Sequence, residues 1–219
     1  MKKIIFLFLT IILLTGCGPK TQYKDETFTS KDKLSSNIKI KSSIVQDNLI
    51  LFITNNNKET VDIKITIDYY DKSEKKIDTN EDIFSAIKAK KEIAIPFGIY
   101  KKYEYYKVSI ETTKSEYTSY EDSLNISEAQ DDKQRQMVFK VTNNGEKAID
   151  YVDLTIIYFK NNNIIGIESD ITGNLKPDDT ATFKLAYPVT SNLDVLDFDN
   201  YKLYINEACT YNKEVLDEE

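Results

Sequence analysis

Histidine and tryptophan are missing from this 219-residue chain, and it has only two cysteines. Without histidine there is no Ser-His-Asp or Cys-His catalysis, no His-ligated zinc and no ordinary proton shuttle near neutral pH. Arg135 is the single arginine, so a clamp built from planar guanidinium forks on phosphate or carboxylate is not expected. Positive charge is also in deficit, with 29 basic against 36 acidic side chains. That balance argues against a nucleic-acid partner, which calls for a basic face, and against electrostatic adhesion to anionic lipid head groups. Long apolar runs are absent except for one, Ile4 to Leu14, broken only by Thr10.

That run sits behind Lys2 and Lys3 and is followed at once by Leu14-Thr15-Gly16-Cys17. A positive start, a short apolar segment and small residues before a cut site together make a secretory signal. As a helix, Ile4 to Gly16 would reach about 20 Å, too short for a bilayer core of about 30 Å. The last four residues resemble the lipobox of bacterial lipoproteins. The resemblance implies a thioether-linked diacylglycerol on Cys17, removal of residues 1–16 and often an added acyl group such as palmitate on the new amino terminus. Two or more acyl chains anchor stably where a single chain binds reversibly. The expected partner of Cys17 is therefore membrane lipid, and the expected location is the extracytoplasmic face of a cell membrane. The mature chain keeps 27 basic and 36 acidic residues, a net charge of −9. With Cys17 lipidated, Cys209 has no partner for an intramolecular disulfide, and its strand-like setting reads as a small buried residue.

Residues 17–36 are polar and read as a tether, about 25 Å long by coil scaling. Beyond them the chain repeats itself. Leu51-Phe-Ile-Thr-Asn-Asn-Asn57 and Ile63 to Tyr70 find counterparts in Phe139-Lys-Val-Thr-Asn-Asn-Gly145 and Val152 to Phe159. Tyr106-Lys-Val-Ser-Ile110 matches Tyr201-Lys-Leu-Tyr-Ile205. Three matching segments in the same order indicate a tandem duplication.

Each copy reads as all-β. Ile63, Ile65, Ile67 and Tyr69 alternate with polar neighbours, as Val152, Leu154, Ile156 and Tyr158 do in the second copy, a period of two. Asn143-Asn-Gly145 supplies residues that tolerate positive φ, as a tight turn between strands needs. Asn192 to Phe198 has room for a short helical turn. Six or seven short strands per copy predict immunoglobulin-like sandwiches. The expected architecture is all-β: a helical signal peptide (1–16), a polar tether (17–36), sandwich domains at 37–119 and 120–212, and an acidic tail (213–219).

The second copy, through Val141-Thr-Asn-Asn-Gly145, Leu154 to Phe159, Gly166, Leu175-Lys-Pro177, Ala181-Thr-Phe183 and Asp199-Asn-Tyr-Lys-Leu203, resembles the FxLYD-type domains of bacterial lipoproteins and secreted proteins. The resemblance implies a small immunoglobulin-like sandwich acting as an extracytoplasmic interaction or spacer module, with no catalytic residues. The first copy departs from the pattern, with Ala89-Lys-Lys-Glu92 in place of the Leu-Lys-Pro turn.

The densest aromatic cluster is Tyr100-Lys-Lys-Tyr-Glu-Tyr-Tyr-Lys107. Tyr106 matches Tyr201 and reads as core, whereas Tyr100, Tyr103 and Tyr105 have no counterparts and are candidates for stacking on a sugar or peptide. Asp194, Asp197 and Asp199 lack the spacing and the glycine of a calcium loop and read as solvated acids. Ser73-x-x-Lys76 lacks the partner motifs of Ser-Lys catalysis. No cofactor, metal or catalytic set is expected. The expectation is a non-enzymatic, membrane-anchored lipoprotein acting as a binding or spacer module. Two alternatives stand beside it: an accessory subunit docking on an envelope membrane complex, and a module for cell-wall carbohydrate or peptidoglycan.

Overall fold

A computed structural model of the chain describes residues 27–30, 33–99 and 102–210. The signal peptide, Cys17, Tyr100 and the acidic tail lie outside the described residues. Seven strands make the first unit: β1 (Thr27–Ser30), β2 (Ile38–Val45), β3 (Asn48–Asn55), β4 (Val61–Tyr70), β5 (Lys76–Ile87), β6 (Glu92–Gly98) and β7 (Tyr105–Lys114). Seven more make the second: β8 (Thr118–Ser119), β9 (Leu124–Asp131), β10 (Gln136–Asn143), β11 (Ile149–Lys160), β12 (Asn163–Leu175), β13 (Thr180–Ala186) and β14 (Asn200–Thr210).

Both units are immunoglobulin-like sandwiches, and six strands of each share one order; the added edge strand is parallel in the first (β1 on β7) and antiparallel in the second (β8 on β14). In the first, sheet β2-β3-β6 faces sheet β1-β7-β4-β5; in the second, β9-β10-β13 faces β12-β11-β14-β8. The period of two along β4 turns Ile63, Ile65, Ile67 and Tyr69 inward, where they meet Leu49, Leu51 and Ile53 of β3. Val152, Leu154, Ile156 and Tyr158 meet Phe139, Val141 and Phe183 in the same way. Each such fully buried side chain contributes roughly 1.5–3 kcal/mol.

The repeated Thr-Asn-Asn motif has one structural job in both copies. The Asn55 amide donates to the carbonyls of Glu59, Ile87 and Lys88 at 2.9, 3.0 and 3.1 Å, while its Oδ1 accepts the Asn57 N–H at 3.0 Å. The Asn143 amide donates to the carbonyls of Lys147 and Leu175 at 2.8 and 2.9 Å, and its Oδ1 accepts the Gly145 N–H at 2.9 Å. Each buried amide satisfies turn carbonyls that would otherwise be lost from water.

Three expectations need correction. The stretch assigned to the tether contains β1, which pairs in parallel with β7 from Thr27↔Lys107 to Ser30↔Ile110, and Ser35 is buried against Thr112. Edge pairing gives this polar segment backbone partners that its composition does not advertise. Positive φ is found not at Gly145 but at Asn161 (50°) and Asn162 (62°), between β11 and β12, as a primed hairpin turn requires. At Gly145 a Cβ would lie 2.9 Å from the Ser123 Cβ, so close approach is what favours glycine there. Asn192 to Phe198 forms a loop closed by the Val189↔Val195 bridge rather than a helical turn.

The two sandwiches are joined by a third apolar cluster. Ile50 and Ala94 from the outer face of the β2-β3-β6 sheet pack with Ile157 and Tyr204 from the outer face of β11 and β14. Phe52 and Tyr204 meet at 6.1 Å between ring centres. Around this cluster run Lys202–Glu92 (2.9 Å), Lys88–Asp122 (2.5 Å) and Lys91–Glu121.

Candidate functional site

Next to that apolar cluster the interface opens into a cleft of about 410 Å³. Phe84, Ile95 and Pro96 of the first sandwich form one wall, and Tyr151, Asp153 and Glu207 of the second form the other. Ile83 and Ile171, 58% and 53% exposed, stand at its edge.

Two irregularities place the polar groups. Along β14 the register passes from Leu154↔Ile205 to Asp153↔Glu207, leaving Asn206 as an extra residue in a bulge. Without it, Glu207 would continue the phase of Leu203 and Ile205 into the sandwich core; with it, Glu207 stands opposite Asp153 on the outer face. Along β5 the register passes from Ile63↔Phe84 to Val61↔Ile87, a second bulge with Ala86 at φ 56°. That bulge turns the Ser85 N–H outward, where Glu207 Oε1 accepts it at 2.5 Å, and the Ala86 N–H donates to Asp62 Oδ1 at 2.8 Å.

Asn206 is the hinge pin of the junction. Its Oδ1 accepts the Ala94 N–H from β6 at 3.0 Å, and its Nδ2 donates to Thr155 Oγ1 at 2.9 Å and Asp153 Oδ2 at 3.4 Å. Asp153 Oδ1 is buried and has no hydrogen-bond partner among the described residues. Burial pushes the Asp153 carboxyl up to about 6, with Asp82 and Asp170 adding to the rise. Burial likewise lifts Glu207 to about 7, and Asp153, Asp82 and Asp62 add to it. Tyr151 is raised to about 12 by burial and by these two acids.

The aromatic candidates are divided by the fold. Tyr103 packs on the first core, 5.1 Å from Tyr69 and 6.0 Å from Tyr106 between ring centres. Tyr105 is half-buried and stacks on Tyr70 at 4.8 Å and 4°, with the Lys107 ammonium 4.8 Å from the Tyr70 ring centre. The carboxylate of Asp199 is taken up by the Asn161 N–H and Lys160. Ser73 donates to Asp71 and Lys76 pairs with Asp68, which separates that Ser and Lys.

Neither a protein-family model nor a curated protein matches the chain. Among solved structures, a transglutaminase of red sea bream shares 6% identity at a TM-score of 0.23. The match covers 70% of this chain but only 27% of that one. At that score it assigns neither a fold nor an activity. The cleft was not foreseen from sequence: the alternation of β14 sends Glu207 toward the core, that of β11 sends Asp153 to an outer face with no sign of what covers it, and the only signal was an acid inside each apolar run.

Proposed function

We propose that the chain is a lipid-anchored lipoprotein of the extracytoplasmic membrane face, acting as a non-enzymatic binding module. The observation that carries the binding role is the cleft between the sandwiches, whose walls come from both units and are held in place by the shared apolar cluster. Ligand sites favour such junctions, where concave surface forms without disturbing either core. The anchoring rests on Leu14-Thr-Gly-Cys17 behind a short apolar segment, and the absence of histidine favours binding over catalysis. In this reading the second sandwich belongs with FxLYD-type modules.

Metabolic labelling with an alkynyl fatty acid tests the anchor. Wild-type chain is expected to take up label and migrate as the cleaved form, whereas Cys17→Ala stays unlabelled; label retained in that variant would defeat the reading. Crosslinking on intact cells with mass spectrometry tests the binding role, which predicts a reproducible partner or ligand adduct on cleft residues.

A second reading, a cell-wall carbohydrate module, draws on the stacked Tyr70–Tyr105 pair with Lys107 beside it. Tyr105→Ser would then weaken cell-wall pull-down, and unchanged pull-down retires that reading.

A further inference from the structure

The two copies differ at one equivalent cross-strand position. In the first, Lys64 on β4 stands opposite Glu111 on β7, and Lys64 also pairs with Glu81. The repeat aligns Thr66 with Thr155, so Asp153 takes the place of Lys64. Its partner across the strands is Glu207. The cross-strand neighbour is of opposite charge in the first copy; in the second, Asn206 aligns with Glu111 and the bulge brings a like charge, Glu207, opposite Asp153.

Like charges directly opposite on neighbouring strands repel, and burial sharpens the penalty. Asp153 and Glu207 are 7% and 5% exposed. The charged groups acting on them are Asp62 on β4, Asp82 on β5 and Asp170 on β12, all acidic. The lysines of the junction are held by Glu92, Asp122 and Glu121. Asp153 Oδ1, lacking a hydrogen-bond partner among the described residues, is a strong acceptor awaiting a donor. Around the acids the lining is mixed: Phe84, Ile95 and Pro96 on one side and Ile83 and Ile171 at the edge give an apolar strip, and Asp82 and Ser169 complete the wall.

We propose that the cleft binds a primary alkylammonium with the chemistry of a lysine side chain, its ammonium between Asp153 and Glu207 and its stem along the apolar wall. This deepens the binding-module reading and rests on it. Three ammonium hydrogens suit acceptors that are otherwise underused, and the cavity volume lies in the range of small-ligand sites. A divalent metal fits less well: it needs six or more oxygens in a close shell, and among the described residues no three acidic or thiol groups are gathered for one. A cation favours the ionised acids, so binding displaces protons and tightens as pH rises through about 6 to 7.

Isothermal titration of the full-length protein in detergent micelles tests this, with n-butylammonium and Nα-acetyl-lysine amide as probes and n-butanol as the neutral control. The expected result is one site for both cations, none for butanol, and affinity at least tenfold weaker at pH 5.5 than at pH 8. Tighter binding of the lysine amide places the ammonium on a peptide; tighter binding of butylammonium places it on a free amine. Asp153→Asn is expected to weaken binding tenfold or more. Ile171→Ser, at an exposed position, is expected to weaken butylammonium several-fold and methylammonium hardly at all. Equal affinity in Asp153→Asn, equal binding of butanol, or no cation binding between pH 5.5 and 8.5 would overturn the proposal. Calcium binding to the cleft in preference to both amines would overturn it too. Cys17→Ala separates the two readings: it abolishes anchoring and leaves amine binding intact.

Discussion

Asp153 and Glu207 face each other directly across β11 and β14, two buried carboxyls in one cross-strand pair. They meet because the Asn206 bulge reverses the phase of β14, and they are buried because the first sandwich packs over them.

Stability should fall as pH rises through the range in which this pair titrates. Both acids have folded values raised above the ordinary carboxylate range, to about 6 and about 7. The folded protein therefore keeps protons that the unfolded chain has released, and stability is lost between about pH 4 and pH 7. The facing groups, Asp62, Asp82 and Asp170, act in the same direction. Asp153→Asn should remove about 2–3 kcal/mol of that slope between pH 4 and pH 8, read from urea denaturation across pH. A variant with the wild-type slope would contradict the assignment.

Asn206→Ala should loosen the junction. It leaves the buried Ala94 N–H without its acceptor and removes the donor to Thr155. A loss of about 1–3 kcal/mol is expected, together with faster hydrogen exchange at Ala94 than in wild type.

Asn55→Ala and Asn143→Ala should cost similar amounts, about 2–4 kcal/mol each by denaturant unfolding. Both side chains hold equivalent turn carbonyls in their own copy, Glu59 and Ile87 in the first and Lys147 and Leu175 in the second. A large effect from one and none from the other would deny their equivalence.

Ile157→Asp should separate the two sandwiches. Ile157 is fully buried in the apolar cluster between them, and an unpaired charge there costs several kcal/mol. Denaturation is expected to pass from one transition to two, since each unit retains its own core. A single unshifted transition would argue against coupling through this cluster.

Much of the fold was legible in the sequence, because strand alternation is a local property. The inward rows of β4 and β11 follow from side chains that point to opposite faces at every step. The duplication was equally plain, and the shared job of Asn55 and Asn143 explains why that motif stands out. Other features were hidden. On β11, residues 152–158 are all buried, although an isolated sandwich would expose every second one. Asp153, Thr155 and Ile157 lie under the first sandwich, and no local pattern announces a neighbour that arrives from some hundred residues away. Tyr103 also gave no sign of its place against the core, since an aromatic side chain in a loop reads the same whether it packs or projects.

By itself, then, the sequence determined the all-β class, the two-copy organisation and the absence of histidine chemistry, since composition and period act within one strand or turn. The docking of the sandwiches, the reversal of phase at Asn206 and the meeting of Asp153 with Glu207 were decided only in the tertiary structure. The physical reason is register: a bulge moves a side chain from one face of a sheet to the other, and whether that face meets water or a second domain depends on packing between distant parts of the chain.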